Sequence, residues 1–146
     1  MRVCLDTNVF LSVKNKEDDH EYCEKIIDFI ESKHIDGVLS TIVLIEVLVG
    51  FYQNSENYEA DRFSSNAALN FDVIPVNFEI AQKAAQLRAQ HNIKLPDAII
   101  SASTIISKAE FFITNDKTLL KKLDIKKITP KDFVKNYLEG DKDNKS

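Results

Sequence analysis

The feature that most constrains the fold of this 146-residue chain is a regular alternation of short apolar runs with helix-length segments. Each run is short enough for a strand and is rich in Val, Ile, Leu or Phe. The five runs are residues 2–5, 37–40, 73–76, 111–114 and 126–128. Strands separated by helices are normally parallel, with helices on both faces of the sheet. The alternation therefore predicts an α/β fold, a three-layer α/β/α sandwich.

Three of the longer segments carry clear helix signals. Apolar residues recur at three-and-four spacing over residues 22–30, after the acidic stretch EDDHE, and predict an amphipathic helix packed on the sheet. Asn77 is a suitable N-cap for a helix that runs to about residue 91. Residues 96–108 begin with a proline and are apolar on nearly every side, so they predict a largely buried helix.

Length and composition indicate one globular domain. The chain is 44% apolar and 29% charged, a balance that suits a single packed core, and its three Gly and three Pro mark no evident linker. We expect the domain at residues 1–138 and a solvated, disordered tail at residues 139–146. No apolar run approaches the ~20 residues of a membrane helix, and no signal peptide is evident, so a soluble, cytoplasmic protein is expected. Cys4 and Cys23 are expected to be reduced core residues.

The net charge of −4 and the pI of about 5.4 disfavour broad, non-specific binding to nucleic acid, which normally needs a basic surface. This objection weakens if several acids gather around a divalent cation, because the remaining surface is then close to neutral. Lys117, Lys121 and Lys122 could form a local phosphate-binding rim. The same lysines could equally be the solvated face of a helix.

Glu46 is the acid that an ordinary structural role explains least well. It stands alone in the apolar segment TIVLIEVLVG, which predicts a buried environment on all sides. An unpaired buried carboxylate costs several kcal/mol unless its pKa rises or a cation compensates it. Two structural alternatives stay open: Glu46 lies on one solvent-facing stripe of a helix, or it pairs with a Lys or Arg.

Asp6, Asp97 and Asp116 are individually ambiguous, because each could have a purely structural role at the start of a helix. Each could be an N-cap, or could place a negative charge near the positive end of the helix dipole. Asp6 and Asp116 follow two predicted strands, however, and Asp97 and Glu46 belong to segments next to strands. In a parallel sheet such positions can converge at one edge, where ligands bind. Four converging carboxylates need a compensating cation, and oxygen ligands favour Mg²⁺, Mn²⁺ or Ca²⁺ over zinc. The histidines His20, His34 and His91 are expected at the surface of amphipathic helices.

Four motifs together resemble the PIN-domain nucleases, and among them the single-domain VapC-type toxins of toxin–antitoxin pairs. The motifs are LDTNVFL at residues 5–11, the lone acid Glu46, KLPDAIISAS at residues 94–103 and FFITND at residues 111–116. The resemblance covers the chain up to about Leu138. It implies a five-stranded parallel sheet with strand order 3-2-1-4-5. That order places the third strand at an edge, which agrees with Pro75 in the run VIPV, because proline can donate no ladder hydrogen bond.

The resemblance also implies an activity and its residues. It makes Asp6, Glu46 and Asp97 the principal acids of a Mg²⁺- or Mn²⁺-dependent endoribonuclease, with Asp116 as the fourth. A water molecule would attack the phosphodiester, so the products would carry 5′-phosphate and 3′-hydroxyl ends. The polar companions that would position water or a carboxylate behind these acids are Thr7, Asn8, Thr114 and Asn115.

The partners implied by the resemblance are an RNA substrate, a small antitoxin protein and a second copy of the chain in a homodimer. Phe51, Tyr52, Tyr58 and Phe63 could form an interface, or they could belong to the core. Two other functions remain open: a PIN-like module that binds RNA or protein without catalysis, and a phosphatase of the haloacid dehalogenase type. The phosphatase normally needs a second Asp two residues after the first, where this chain has Asn8.

Overall fold

The computed structural model describes residues 1–139, which contain one five-stranded parallel sheet in the order β3-β2-β1-β4-β5. The strands are β1 (Arg2–Leu5), β2 (Asp36–Ser40), β3 (Asp72–Ile74), β4 (Phe111–Ile113) and β5 (Lys127–Ile128). The first strand is central: Cys4 lies opposite Val38 of β2 on one side and Phe112 of β4 on the other. This confirms the predicted parallel sheet and its strand order.

Helices connect the strands and flank the sheet, as the alternation predicts. They are α1 (Thr7–Asn15), α2 (His20–Glu31), α3 (Thr41–Gln53), α4 (Asn57–Asn70), α5 (Phe78–His91), α6 (Leu95–Ile106), α7 (Lys117–Lys122) and α8 (Pro130–Phe133), which runs into a π-helix (Val134–Glu139). Asn77 caps α5 as predicted, because its side-chain oxygen accepts a hydrogen bond from the Ile80 N–H at 3.0 Å. No helix within residues 1–139 is both long and apolar enough to cross a membrane.

The core lies between the central strands and the helices packed on them. Its largest fully buried side chains include Leu5, Phe112 and Ile113 of the central strands and Ile100 of α6. Helix α6 is largely buried, as predicted. Its buried hydroxyl groups are all hydrogen-bonded, because each donates to the backbone carbonyl four residues earlier. Ser101, for example, donates to the Asp97 carbonyl at 2.7 Å. The free cysteines Cys4 and Cys23 are both buried.

The prediction that the segment around Glu46 is buried on all sides is wrong. Only Val43 and Val47 of α3 are buried, whereas Ile45 is 55% exposed and Val49 is 44% exposed. The physical reason is that α3 packs one face against the core and presents its opposite face to solvent in the single chain. Glu46 itself is half-buried, at the border between these two faces.

One further boundary differs from the sequence-based expectation. The third strand ends at Ile74, so Pro75 follows the strand instead of lying inside it, although this strand does form the edge of the sheet. The tail predicted at residues 139–146 lies outside the described residues except for Glu139, which ends the π-helix.

Candidate metal centre

Asp6 stands at the junction of the central strand β1 and helix α1, and its carboxylate is almost completely buried, with 4% of the residue exposed. One oxygen, Oδ1, accepts a hydrogen bond from the Thr7 N–H at 2.8 Å, so the side chain does serve the start of α1. The other oxygen, Oδ2, points to polar groups from two elements. It accepts from the Thr114 hydroxyl at 2.6 Å and from the Asn8 side-chain amide at 3.0 Å.

Thr114 connects the two strands whose ends form the site. It follows β4 directly and is fully buried. Its hydroxyl donates to Asp6, and its oxygen accepts from the Asn8 side chain at 3.2 Å and from the Asp116 N–H at 3.0 Å. This one hydroxyl therefore fixes the distance between the segment after β1 and the segment after β4.

Glu46 reaches the same edge of the sheet from helix α3. Its Oε1 accepts a hydrogen bond from the Thr7 hydroxyl at 2.6 Å. Thr7 is the first residue of α1, so the bond ties the middle of α3 to the beginning of α1. The bond holds Glu46 beside Thr7, the residue that follows Asp6.

Asp97 and Asp116 complete the cluster from the starts of two helices. Asp97 lies in the first turn of α6, directly after Pro96. Asp116 caps α7 with Oδ1, which accepts from the N–H groups of Thr118 at 2.9 Å and Leu119 at 3.2 Å. Capping uses one oxygen of Asp116 and leaves Oδ2 available to the site.

Charge interactions connect the four acids. Burial raises the pKa of Asp6 to about 6, against hydrogen bonds from Thr114 and Thr7 that lower it, and the charges of Asp97 and Asp116 raise it further. Burial also raises the pKa of Asp97, together with the charges of Asp116 and Glu46, while Lys94 acts in the opposite direction. The carboxylates of Asp6, Glu46, Asp97 and Asp116 therefore share one region of negative potential.

The donor set suits a hard divalent cation. Within residues 1–139, no three His, Cys, Asp or Glu side chains are grouped so that they alone could hold an ion. Mg²⁺ does not require such a group, because it keeps several of its waters and is usually bound through one or two carboxylates. A dication would also relieve the repulsion that raises the pKa of Asp6 and Asp97. The carboxylates therefore fit Mg²⁺ or Mn²⁺ with water completing the coordination.

Asn8 and Asn115 form hydrogen bonds around the acid cluster. One of their partners is Asp19, an acid that the sequence patterns did not single out. The Asn8 Oδ1 accepts a hydrogen bond from the Asn115 N–H at 3.1 Å. The side-chain amide of Asn115 donates to Asp19, which also accepts from the buried hydroxyl of Ser12. No sequence signal separated Asp19 from its acidic neighbours, since the stretch EDDHE equally suits the start of a helix.

The remaining residues singled out in the sequence lie outside this cluster. Lys117, Lys121 and Lys122 are exposed on α7, which starts at the site. The three histidines are exposed or half-buried. Among the aromatic residues, Phe63 packs edge-on against Phe10 with ring centroids 5.4 Å apart and belongs to the core periphery. Phe51 packs near it, while Tyr52 and Tyr58 are exposed.

Comparison with known proteins identifies related sequences and folds. Residues 3–126 match the PIN domain family. No curated protein matches the chain significantly. Among solved structures, the chain is similar to a toxin-antitoxin complex from Klebsiella pneumoniae, with 26% identity and a TM-score of 0.68. The similarity covers 88% of this chain and 97% of that chain.

Two other solved structures share the fold at lower identity. One is VapBC2 from Rickettsia felis, bound to a DNA fragment from its promoter, with 18% identity, a TM-score of 0.71 and coverage of 88% of this chain and 98% of that chain. The other is the sarcin-ricin loop cleaving toxin VapC20 from Mycobacterium tuberculosis, with 16% identity and a TM-score of 0.61. That similarity covers 85% of this chain and 98% of the toxin.

Proposed function

The chain belongs to the PIN-domain family, and on that premise we propose that it is a metal-dependent endoribonuclease. The observation that carries this proposal is the buried carboxylate of Asp6 directly after β1, whose pKa is raised to about 6 by burial and further by the charges of Asp97 and Asp116. Asp6, Glu46, Asp97 and Asp116 are the residues proposed to hold Mg²⁺ or Mn²⁺. Acids kept together at a cost in repulsion are a mark of a functional site.

Each supporting side chain has a defined task in this proposal. Thr114 and Asn8 hold the Oδ2 of Asp6, and Thr7 holds the carboxylate of Glu46. When bound, the divalent ion would supply the positive charge that activates water and stabilises the phosphate in the transition state. The four acids would hold that ion, and attack by water with cleavage of the P–O3′ bond would leave 5′-phosphate and 3′-hydroxyl ends.

Cleavage of a cellular RNA pool tests the nuclease. Purified protein should cleave RNA with Mg²⁺ or Mn²⁺ and not with EDTA, and Asp6→Asn should lose the activity because the amide removes a charge from the cation site. The matched control is Asp36→Asn. Asp36 is an exposed residue at the start of β2, whereas Asp6 and Asp116 follow the carboxyl ends of their strands. This variant should therefore cleave like the wild type.

Several outcomes would contradict the nuclease. Full activity of Asp6→Asn would remove that residue from the site, and 2′,3′-cyclic phosphate ends would exclude attack by water. RNA binding without cleavage under any metal would favour the alternative of a catalytically inactive binding module. A phosphatase is less well supported, because Asn8 stands where its second Asp is needed and is bonded to Asp6 and Asn115.

We also propose that the protein is the toxin of a toxin–antitoxin pair, acts in the cytoplasm, forms a homodimer and binds a small antitoxin protein. Support comes from the similarity to the Klebsiella pneumoniae toxin-antitoxin complex and to VapBC2. A toxin of this kind should arrest growth when it is expressed alone in bacteria, and Asp6→Asn should not. If bacteria that express the wild-type protein grow normally although the enzyme is active, a role in RNA processing would be favoured instead.

A further inference from the structure

Asp19 makes contacts that its position in the chain does not explain. It lies between α1 and α2, directly before His20, where an aspartate usually caps the helix that follows. Its side chain makes no capping bond. The carboxylate instead accepts hydrogen bonds from the hydroxyl of Ser12, from the side-chain amide of Asn115 and, at 3.5 Å, from the thiol of Cys23. It therefore serves contacts outside the first turn of its own helix.

Asn115, one of these partners, lies between two residues of the acid cluster. Thr114 before it donates to Asp6, and Asp116 after it is one of the four acids. The backbone N–H of Asn115 donates to Asn8 at 3.1 Å, and its side chain donates to Asp19. The turn after β4 is thus fixed from two directions, through its backbone by α1 and through a side chain by Asp19.

Hydrogen bonds hold the Asp19 carboxylate in place and keep it ionised. Ser12, which donates to it, is fully buried in α1, the same helix that Asp6 caps. Desolvation disfavours the charged form, but hydrogen bonds from Ser12, Asn115 and Cys23 outweigh it and lower the pKa of Asp19. The carboxylate is therefore ionised at neutral pH, and hydrogen bonds to an ionised group are roughly twice as strong as neutral ones.

The influence of Asp19 on the cluster is geometric. The charges that raise the pKa of Asp6 are those of Asp97 and Asp116, and the charges that raise the pKa of Asp97 are those of Asp116 and Glu46. Asp19 is not among the charges with the largest effect on either pKa. Its link to the acids runs through the hydrogen bond to Asn115.

We propose that Asp19 is a positioning residue of the acid cluster, which holds the turn after β4 through Asn115 and so sets the position of Asp116 relative to Asp6. This inference rests on the proposed function, because it assigns the cluster to a divalent cation. It predicts that loss of the Asp19–Asn115 bond weakens cation binding while the fold and the four acids stay in place.

Binding of Mn²⁺ to the purified full-length chain, measured by electron paramagnetic resonance, tests the proposal without reference to RNA. Asp19→Ala should raise the Kd for Mn²⁺ about 10-fold, since groups that support metal ligands typically contribute 10–100-fold in affinity. The Mn²⁺ concentration for half-maximal RNA cleavage should rise by the same factor, and saturating Mn²⁺ should recover part of the activity.

Two variants separate positioning from charge. Asp19→Asn should recover most of the affinity, because its amide oxygen can accept from Asn115 while its amide group donates to Ser12. Asp18→Ala removes an exposed neighbouring carboxylate and should leave the Kd unchanged. If Asp19→Ala does not fold, Asn115→Ala removes the same bond from the other side and should weaken Mn²⁺ binding to a similar extent.

The outcomes distinguish this inference from the nuclease itself. Unchanged Mn²⁺ affinity in Asp19→Ala or its Asn115→Ala substitute, with or without a lower Tm, would overturn positioning and leave the nuclease standing. Weaker Mn²⁺ binding in Asp19→Ala together with a wild type that cleaves no RNA would support positioning and contradict the nuclease. A wild type that binds no Mn²⁺ would overturn both.

Discussion

Asp6 combines two roles that sequence analysis treats as alternatives. Its Oδ1 satisfies the first N–H of α1, and its Oδ2 belongs to the polar network with Asn8 and Thr114. Three hydrogen bonds stabilise the carboxylate, yet burial and neighbouring acids still raise its pKa to about 6. In the ion-free protein, the charged form of this side chain is therefore destabilising.

This pKa predicts how the ion-free protein responds to pH. Folded Asp6, with a pKa of about 6, holds its proton more tightly than the unfolded chain, with an ordinary value of 3.8. Between these values the folded state binds more protons, so raising the pH favours unfolding. The free energy of unfolding in EDTA should fall from pH 4 to pH 6 by about 2 kcal/mol, and the raised pKa of Asp97 acts in the same direction.

Urea unfolding across pH 4–7 in EDTA measures this effect. The control is Asp6→Asn, which cannot titrate at this position and should show a flatter profile. A wild-type stability that rises through the same window would contradict the assigned pKa shift, since it would require the unfolded chain to bind more protons than the folded one.

Among the acids of the cluster, Glu46 stands out by its local pattern, because it is alone in an apolar segment. Asp6, Asp97 and Asp116 are individually ambiguous and are singled out by the predicted topology and the family resemblance. Their roles as metal ligands stay a prediction until they are tested. Asp19 could not be found in this way. Its contact with Asn115 joins residues 96 positions apart, and nothing in the acidic stretch around it indicates which carboxylate turns away from the helix.

At the scale of elements, several helices end in a conformation that their sequences do not favour. Lys16, Lys33, Ser55 and Lys108 have positive φ at or just after the ends of α1, α2, α3 and α6. At the end of α6, the Ala109 N–H bonds to the Thr104 carbonyl at 3.1 Å, which closes the turn around Lys108. Glycine is the usual residue here, because a side chain is strained in the left-handed region.

Replacing one of these residues by glycine should therefore stabilise the protein. Lys108→Gly relieves strain of about 1–2 kcal/mol, partly offset by the greater freedom of glycine in the unfolded chain, so we expect a net gain of about 0.5–1 kcal/mol. Lys108 is exposed and lies at the end of α6 remote from Asp97. Activity should stay at the wild-type level.

Thermal and urea unfolding measure this gain. Asn92→Gly is the matched control, since Asn92 also has a positive φ, at the end of α5, but asparagine tolerates this region. It should gain less than Lys108→Gly. Equal or lower stability of Lys108→Gly would show that the lysine side chain contributes more to the folded state than its backbone strain removes.

The number of strands was predictable from the alternating segments, and their order from the family resemblance. The exposure of α3 was not. A run such as TIVLIEVLVG predicts apolar contacts on every face, but it does not reveal whether a neighbouring layer covers each face. In the single chain one face of α3 is left to solvent, with Ile45 and Val49 exposed.

At the scale of the whole molecule, large apolar side chains remain exposed on the single chain, including Ile45, Tyr58 and Phe78. Association that removes such surface from water is favourable, which agrees with the proposed homodimer. Sedimentation equilibrium of the purified chain should give about twice the mass of the 16.6 kDa chain. A mass equal to one chain over the accessible concentration range would exclude the homodimer.

The place of β1 in the centre of the sheet has a consequence for biosynthesis. The ribosome makes β1 long before its neighbour β4 and the acid that follows it, which come only at residues 111–116. Until that point the nascent chain carries Asp6, Glu46 and Asp97 without the strand that brings Asp116 beside them. The complete acid cluster therefore cannot form on a growing chain until β4 and Asp116 have been made.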